Sequence, residues 1–411
     1  MEDQKTYHFY VIDDDEISAK TIAGLLNVYG HKIDVTSNSA LAYDKILESK
    51  PDCVICDLMM PEVDGLNLCK KIRETPELDG VRFIMVSTKI YEFDQKRAFD
   101  FGADGYILKP LDTETFGDRV NKILNDQITM TFWGVRGTLP VPGETTLKYG
   151  GNTSCVSLEF PRDQFFIFDG GSGIKKLGDA LMAERRNRLR ARIFISHPHW
   201  DHINAIPFFT PLYVPGNEFE ILGANHGDKT TRELISAQMD GVYFPITVKE
   251  FGARVYFRDL PEGSVTIDGI NVETMLLSHP GKCLGYRVNY NGRSVCYITD
   301  NEMFTEVSDF YSPHYEKKLV EFCHKADVLI TDTTYTDEEY ETKVGWGHSC
   351  ISKVAQIADM AEVKNLYLYH HDPDQTDKDI DQKHEKTAKA LSDRKSLVNL
   401  YCPREGQSFK I

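Results

Sequence analysis

The densest group of residues that could bind a metal lies between residues 197 and 202, where the sequence reads HPHWDH. His197, His199, Asp201 and His202 all carry side chains that can bind metal ions. Imidazole is a common zinc ligand, and a carboxylate among imidazoles favours a borderline divalent metal. Four residues on one loop cannot all reach a single ion. The segment therefore predicts two metal ions that share this loop.

The remaining ligands of such a site must come from elsewhere in the chain, and three residues at the ends of strand-like segments are candidates. His279 follows VETMLLS, Asp300 follows SVCYIT and His370 follows NLYLY. Segments of this kind are typical of buried strands, so each polar residue lies where a strand is expected to end. We expect these three side chains to complete the dinuclear site.

A second group of carboxylates lies in the N-terminal part of the chain. Asp13 and Asp14 follow the strand-like segment YHFYVI, and Asp57 follows CVIC. In a doubly wound sheet the carboxyl ends of the strands converge on the ligand crevice. Three carboxylates there repel one another unless a hard cation joins them, and Mg²⁺ is the expected ion. Ser87 and Lys109 end two further strands, and such a set suits a phosphoryl group held on an aspartate.

The elements that must position these residues follow two different patterns. Up to residue 124, five strand-like apolar segments alternate with five amphipathic helical segments. This alternation predicts a flavodoxin-like (βα)5 domain with a parallel sheet. From Ile128 onward, strands such as MTFWGV and RIFISH are separated by turns rich in glycine and proline, which predicts an α/β sandwich. We place the boundary at the polar segment 125–127, so that the domains are 1–125 and 126–411.

The composition of the 411 residues limits the functions that are possible. The net charge of −16 disfavours a protein that coats nucleic acid nonspecifically, because such a chain repels phosphate backbones. Nine cysteines, an odd number, indicate free thiols in a reducing compartment. Cys53 and Cys56 are three residues apart in a strand and should face opposite sides as core thiols. Five arginines between residues 185 and 192 could guide an anionic substrate, but a solvated helix face is the expected role.

Neither a secretory signal nor an apolar run long enough to span a membrane is apparent in the sequence. We therefore expect a cytoplasmic protein without a membrane partner.

The motifs VIDDDE, CDLMMPEVDGL, MVS and GADGYILKP resemble those of response-regulator receiver domains over about residues 5–124. The resemblance implies that Asp57 is the phosphoacceptor and that Mg²⁺ is bound by Asp13, Asp14 and Asp57. It also implies that Ser87, Lys109 and Tyr106 form a switch, in which Tyr106 turns inward. A sensor histidine kinase is the implied partner, and a homodimer is a further expectation.

The segments HPHWDH and FDGGSG resemble the metallo-β-lactamase superfamily over about residues 128–411, in particular its branch of RNase Z and related phosphodiesterases. The resemblance implies an αββα sandwich. It assigns one metal to His197, His199 and His279. It assigns the other metal to Asp201, His202 and His370, with Asp300 as the bridge. Asp169 is implied to support the ligand loop by hydrogen bonding.

The same branch has an acidic residue at a strand end that pairs with a downstream histidine. Here ITDTTY supplies Asp332 and GWGHS supplies His348. A carboxylate that orients and charges an imidazole makes a general acid for an alkoxide leaving group. The expected catalytic residues are Asp201, His348 and Asp332. Zinc is the first metal expected, and manganese or iron would also suit the site.

Together these features predict a two-component response regulator with an enzymatic output, a two-metal phosphodiesterase gated by phosphorylation of Asp57. A cyclic nucleotide is the first substrate class expected and short nucleic acid the second, because no segment resembles a basic tRNA-clamping arm. The alternatives are a thioesterase or lactonase of the same fold, and a di-iron sensor or binding module. His199 stands where the di-iron proteins have glutamate, and the Asp332–His348 pair favours a phosphodiester over a thioester.

Overall fold

The computed structural model of the protein describes residues 6–184, 188–242 and 244–411. The chain divides into two compact units. The first unit comprises residues up to 128 together with 160–163, and the second comprises 129–159 and 164–411. A helix of the first unit ends at Leu124 and the next strand begins at Thr129. The domain bounds 1–125 and 126–411 stay a prediction.

Strands and helices alternate in the first unit. Its strands are β1 (His8–Ile12), β2 (Lys32–Thr36), β3 (Cys53–Asp57), β4 (Arg82–Ser87) and β5 (Gly105–Leu108). Its α-helices are α1 (Glu16–Asn27), α2 (Ala42–Ser49), α3 (Gly65–Arg73), α4 (Glu92–Asp100) and α5 (Phe116–Leu124). The described strands pair in parallel in the order β2-β1-β3-β4-β5. This order confirms the predicted flavodoxin-like (βα)5 fold.

The central strand β3 shows why the sequence forms this sheet. All five of its residues are buried, as expected for a strand that helices cover on both faces. Cys53 belongs to the apolar cluster that contains Val120 of α5, whereas Cys56 belongs to the cluster that contains Leu68 of α3. The two thiols therefore face opposite sides of the sheet as core residues, as predicted.

The second unit contains two mixed sheets, each of seven described strands. In chain order the strands are β6 (Thr129–Gly134), β7 (Cys155–Glu159), β8 (Phe165–Phe168), β9 (Arg190–Ile195), β10 (Glu218–Gly223), β11 (Arg254–Asp259), β12 (Gly263–Ile267), β13 (Ile270–Leu276), β14 (Leu284–Tyr290), β15 (Arg293–Ile298), β16 (Val328–Asp332), β17 (Asn365–Tyr369), β18 (Asn399–Tyr401) and β19 (Ser408–Lys410). The first sheet has the order β11-β10-β9-β8-β7-β6-β19, and the second has the order β12-β13-β14-β15-β16-β17-β18.

The α-helices described in the second unit flank these sheets or begin in their loops. They are α6 (Gly173–Ala183), α7 (Trp200–Ile203), α8 (Thr231–Ala237), α9 (Pro313–Cys323), α10 (Asp337–Tyr340), α11 (Ile351–Met360) and α12 (Asp377–Asp393). Residues of α6 share an apolar cluster with the first sheet, and residues of α9, α11 and α12 share another with the second sheet.

The two sheets meet through buried aromatic side chains. The ring centroids of Phe168 in β8 and Tyr297 in β15 lie 5.2 Å apart, and those of Phe194 in β9 and Tyr286 in β14 lie 5.3 Å apart. These separations are typical of favourable aromatic pairs. Two sheets packed face to face with helices outside them confirm the predicted αββα sandwich.

The strands also bring the polar residues of interest to defined positions. Strands β9, β13, β15 and β17 end within a few residues of the predicted metal ligands. Among the described residues, no helix combines the length and the apolar character that a membrane span would need.

Candidate metal and phosphoryl-acceptor sites

The predicted acidic pocket of the first unit is built around one ammonium group. Lys109, directly after β5, donates to Asp13 Oδ2 at 2.7 Å and to Asp57 Oδ1 at 2.5 Å. Asp13 follows β1 and Asp57 ends β3, and these strands are neighbours in the sheet. Asp57 Oδ2 also accepts a hydrogen bond of 2.7 Å from the backbone N–H of Met59. The pocket therefore holds two carboxylates in fixed positions against a single positive charge.

The other predicted residues of this pocket lie beside it. Asp14 is exposed next to the buried Asp13. Ser87 ends β4, and its buried hydroxyl accepts from the backbone N–H of Lys89 at 3.0 Å. Tyr106 is buried as well, and its hydroxyl donates to the carbonyl of Lys89 at 2.9 Å. The ring of Tyr106 thus lies inside in this structure, and its movement on phosphorylation stays a prediction.

Burial and charge compete in this pocket. Burial raises the pKa of Asp57, although the hydrogen bond from Lys109 acts in the opposite direction. Burial acts to lower the pKa of Lys109, but its hydrogen bonds to Asp13 and Asp57 outweigh that effect and raise the pKa. The ammonium thus stays charged. With exposed Asp14 beside them, these carboxylates are oxygen ligands of the kind that Mg²⁺ prefers.

The first candidate metal group of the second unit consists of His197, His199, His279 and Asp300. Their possible ligand atoms all lie within 4.8 Å of one another. Nε2 of His279 lies 3.2 Å from Nδ1 of His199, and Nε2 of His197 lies 3.6 Å from Oδ2 of Asp300. Loops after β9 of one sheet and after β13 and β15 of the other supply these residues. The sandwich therefore brings them to the same edge.

The second candidate metal group consists of Asp201, His202, Asp300 and His370. Nε2 of His370 lies 3.2 Å from Oδ2 of Asp201 and 3.1 Å from Oδ1 of Asp300. Nε2 of His202 lies 3.1 Å from Oδ2 of Asp201 and 3.2 Å from Oδ1 of Asp300. Asp300 belongs to both groups, with one oxygen toward each. The structure thus brings all seven predicted ligands together.

The donor atoms fit divalent metal ions. Nε2 of His197 is buried and has no hydrogen-bond partner in the described part of the chain, which is unusual for an atom that is not a ligand. Burial lowers the pKa of His197 well below its ordinary value, so its ring is neutral and can bind a metal. Imidazoles combined with carboxylates suit zinc and other borderline metals.

The charge balance of the second group also favours a cation. Burial acts to lower the pKa of His202, but the carboxylates of Asp201 and Asp300 outweigh it and hold the pKa well above its ordinary value. Burial acts to raise the pKa of Asp300, but the imidazoles of His370 and His202 hold it well below its ordinary value. Two ionised carboxylates buried side by side require positive charge next to them.

Asp169, in the turn after β8, lies behind the ligand loop. Its Oδ2 accepts from Nδ1 of His202 at 2.8 Å and from the hydroxyl of Tyr297 at 2.8 Å. Its carboxylate also accepts from the backbone N–H and the hydroxyl of Ser196 at 2.7 and 2.9 Å. Because Nδ1 of His202 is held in this way, Nε2 is the nitrogen that faces Asp201.

A turn after β6 also contacts the site, and our sequence-based prediction missed it. The backbone N–H of Thr138 donates to Oδ2 of Asp201 at 2.7 Å. Gly137 lies against the ring of His370, where an added Cβ would fall 2.1 Å from Cε1. Only glycine fits at this position. Gly137 in GVRGTL, three residues after the end of β6, was the available signal, since a glycine near a strand often marks a close approach of the backbone.

Asp332 and His348 form a hydrogen-bonded pair beside the second metal group. Asp332 ends β16, and Nδ1 of His348 donates to its Oδ2 at 2.7 Å. The ring centroids of His348 and His370 lie 5.0 Å apart. The hydroxyl of Thr334 donates to Oδ1 of Asp332 at 2.6 Å. Burial acts to lower the pKa of His348, but the charge and hydrogen bond of Asp332 outweigh it and raise the pKa to about 9.

Two other features lie outside these groups. The ring of His371 points away from the candidate metal ligands, and its Nε2 lies 3.6 Å from Sγ of Cys402. Of the five arginines between residues 185 and 192, Arg185 and Arg186 lie outside the described residues. Arg192 is in β9 and pairs with Asp268 at 2.8 Å, so the expected helix face is wrong for this residue.

Comparisons with known proteins match the two parts of the chain separately. Residues 9–121 match the family model of the response regulator receiver domain, and residues 172–371 match that of the beta-lactamase superfamily domain. Response regulator ArlR of Staphylococcus aureus (strain Mu50) is 31% identical over 117 residues, which are 28% of this chain and 52% of that protein. The chain spans about half the length of the curated relatives it matches.

Among solved structures, the metallo-beta-lactamase fold protein YhfI from Bacillus subtilis is similar to the second part of the chain. Its sequence identity is 18% and the TM-score is 0.51, over 70% of this chain and 100% of that one. This likeness shows the fold of the second domain.

Proposed function

We propose that this chain, which joins a response regulator receiver domain to a metallo-β-lactamase-fold domain, is a two-component response regulator with an enzymatic output. The proposed activity is the hydrolysis of a phosphodiester bond at a two-metal centre in the second domain. The proposed control is phosphorylation of Asp57 by a sensor histidine kinase. We also propose a cytoplasmic location and a homodimer.

The pair of His348 and Asp332 is the observation that supports a phosphodiester as the substrate. Hydrolysis of a phosphodiester expels an alkoxide, which leaves readily only if it receives a proton. Nδ1 of His348 donates to Asp332 at 2.7 Å, so Nε2 is the atom that can give a proton to the leaving oxygen. A thioesterase has less need of this pair, because a thiolate is a far better leaving group than an alkoxide.

The metal centre is assigned to the two groups of ligands that the fold brings together. One ion is assigned to His197, His199 and His279, and the other to Asp201, His202 and His370, with Asp300 shared. Bound divalent ions supply charge stabilisation at the phosphoryl oxygens and a water nucleophile of lowered pKa. Zinc is the first choice, and manganese or iron also suits these ligands.

The protein's own hydrogen bonds orient these ligands before any substrate arrives. Asp169 holds Nδ1 of His202, and the carbonyl of Gly347 accepts from Nδ1 of His279 at 2.9 Å. Both rings therefore present Nε2 to the centre. Such fixed groups lower the cost of reorganisation during the reaction.

The proposed substrate is a cyclic nucleotide first and a short single-stranded nucleic acid second. The net charge of −16 disfavours a long polyanion, because its many phosphates would be repelled by the protein as a whole. A small phosphodiester carries little charge and is affected less.

The proposed control starts at Lys109, which Asp13 and Asp57 share. A phosphoryl group on Asp57 adds about two negative charges, with Mg²⁺ proposed to bind Asp13, Asp14 and Asp57. Lys109 and the hydroxyl of Ser87 are proposed to follow the new charge. Only four residues, 125–128, connect α5 to β6, so a change in α5 is proposed to reach the second domain through the chain.

One experiment tests the proposed activity. The full chain is purified with its own metals, the metals are counted, and cyclic nucleotides, dinucleotides, RNA, a thioester, a lactone and a nitrophenyl phosphodiester are assayed. We expect two metal ions per chain and hydrolysis of phosphodiesters only. A preference for the thioester or the lactone would contradict the proposal, as would a metal-loaded protein that hydrolyses none of these compounds.

A further inference from the structure

The segment 343–349, which we call the Trp346 loop, lies at the edge of the candidate metal centre. The carbonyl of Gly347 accepts from Nδ1 of His279, and His348 follows directly in the chain. An added Cβ on Gly347 would fall 2.3 Å from Nδ1 of His279, so the backbone of the loop touches that imidazole. Trp346 therefore lies two positions from the proposed proton donor in the chain, next to the glycine whose backbone contacts a proposed metal ligand.

Glu302 holds this loop in place. The side chain is buried, with 2% of its surface exposed. Its Oε1 accepts from the hydroxyl of Tyr340 at 2.8 Å and from the backbone N–H of Gly345 at 2.7 Å, and its Oε2 accepts from the N–H of Gly347 at 2.7 Å. Hydrogen bonds to a carboxylate are stronger than those between neutral groups. Because Glu302 follows Asp300 by two residues, one short segment carries both the shared metal ligand and the anchor of the loop.

Trp346 is 61% exposed on this anchored loop. Its glycine neighbours have φ values of +87° and +88°, a conformation that glycine adopts without strain. The ammonium of Lys343 lies 5.9 Å from the Trp346 ring and 4.4 Å from the Tyr335 ring, and it pairs with Asp372 at 3.1 Å. Cations at these distances are attracted to aromatic faces.

An exposed apolar side chain alone needs no functional explanation, because scattered ones are normal on protein surfaces. Trp346 differs because the loop that displays it is fixed by a buried carboxylate and also supports His279. The other exposed tryptophan in the described residues, Trp200, stands in the sequence between two proposed ligands, His199 and Asp201. Trp133, in contrast, is half-buried and donates to the hydroxyl of Ser157 at 2.9 Å.

We propose that Trp346 is a stacking platform for a nucleobase of the substrate, next to the phosphodiester that is cleaved. This inference rests on the proposed phosphodiesterase function and assigns the residue that would contact the base of a nucleotide substrate. Stacking on an aromatic ring accepts every base, because each base has a π face. Glu302 is the positioning residue that keeps the platform in register with His279 and His348.

The test compares two probes that differ only in the base, adenosine 5′-monophosphate and ribose 5-phosphate. Their affinities for the zinc-loaded full chain are measured by calorimetry in wild type, Trp346→Leu and Trp346→Phe, with Val344→Ala as the control on the same loop. We expect Trp346→Leu to weaken binding of the nucleotide by about 5- to 150-fold and to leave ribose 5-phosphate unchanged. Trp346→Phe keeps a ring and should retain most of the affinity, and Val344→Ala should match wild type.

Fluorescence locates the contact. The nucleotide should quench the tryptophan emission of wild type, and the Trp346→Phe protein should lose this part of the quenching while it still binds. Glu302→Gln places an amide N–H₂ against a backbone N–H, so it should weaken nucleotide binding by less than Trp346→Leu does. A Glu302→Gln protein with unchanged affinity would overturn the positioning role.

Two outcomes overturn the platform. One is equal affinity of wild type and Trp346→Leu for the nucleotide, and the other is an equal loss for both probes, which would place the damage at the phosphate site. Metal content measured in each variant verifies that the centre is intact. Binding and hydrolysis are separate readouts: absence of hydrolysis with a base-dependent loss contradicts the proposed function alone, whereas hydrolysis without a base-dependent loss contradicts the platform alone.

Discussion

The two candidate sites both place carboxylates at the ends of strands, but they balance the negative charge differently. In the receiver domain Lys109 supplies a positive charge that Asp13 and Asp57 share. In the second domain Asp201 and Asp300 are surrounded by imidazoles, and the buried Nε2 of His197 lacks a hydrogen-bond partner among the described residues. The receiver pocket contains a lysine ammonium, whereas the carboxylates of the second centre face imidazoles that could also bind metal ions.

The supports of the two sites differ in the same sense. Asp169 accepts four hydrogen bonds and fixes the ligand loop from behind. Lys109 is a compact charge at the end of a flexible stem, and such a group can follow a new charge. This difference indicates that Lys109 in the receiver pocket can change its partner, whereas the second centre is suited to keep its geometry.

The largest effect is expected from His199→Ala. This change removes a proposed ligand, so we expect loss of bound metal and of hydrolysis together, since the metals and the nucleophile form one assembly. Beryllofluoride binding to the receiver domain should be unchanged, because that pocket does not depend on the metal centre. Metal analysis and a phosphodiester assay measure the effect, with His324→Ala, an exposed histidine, as control. Full metal content at the wild-type rate would show that the ligand assignment is wrong.

The next effect is expected from His348→Ala. The protein should keep both metals and lose roughly 10²- to 10⁴-fold in turnover of a substrate with an alkoxide leaving group, because the proton donor is gone. The loss should be much smaller for a nitrophenyl phosphodiester, whose leaving group needs no proton. Turnover numbers on the two substrates measure the effect. An equal loss of turnover on both would show that His348 is not the proton donor.

A smaller effect is expected from Asp169→Asn, which tests the rigid support of the second centre. The amide can no longer accept all four hydrogen bonds, so metal affinity should fall by about 10- to 100-fold. Competition with a chelator measures the affinity. Tyr297→Phe removes only one of the four donors and should lose less. If both variants bind metal as tightly as wild type, the hydrogen bonds of Asp169 do not contribute to metal affinity.

The smallest effect is expected from the receiver. Beryllofluoride, which mimics a phosphoryl group on Asp57, should change the rate of hydrolysis several-fold in either direction and should have no effect in Asp57→Ala. A ligand can shift an equilibrium only by its differential affinity for the two states, so a complete switch is not expected. Wild-type activity that ignores the mimic, with no change in oligomeric state or shape, would refute gating and reduce the receiver to a tether.

Most of the candidate sites could be predicted because strand ends are visible in the sequence. His279, Asp300 and His370 each follow an apolar segment, and the structure brings all three to the HPHWDH loop. The strict alternation of strands and helices likewise predicted the parallel sheet of the first unit. Side-chain type and local periodicity contain this information, so these residues can be recognised without the tertiary structure.

Contacts made by the backbone could not be predicted in this way. Thr138 reaches Asp201 through its N–H, and Gly347 reaches His279 through its carbonyl, so the types of these residues reveal little. Strands β10 and β11 are difficult to recognise in the sequence because charged residues, such as Glu220 and Arg258, lie among their apolar residues and weaken the apolar signal. Strand β19 has only three residues, and its partner is remote in the sequence.

The pairing of β19 with β6 has a consequence for synthesis on the ribosome. The hydroxyls of Thr131 and Ser408 lie 2.7 Å apart although 277 positions separate them in the chain. Strand β6 therefore leaves the ribosome long before its partner, and its edge stays open to other strands during that interval. The receiver sheet can close early in translation, whereas the first sheet of the second domain is complete only after nearly the whole chain is made. A nascent chain stalled before residue 408 should therefore bind chaperones through its second domain and already contain a folded receiver.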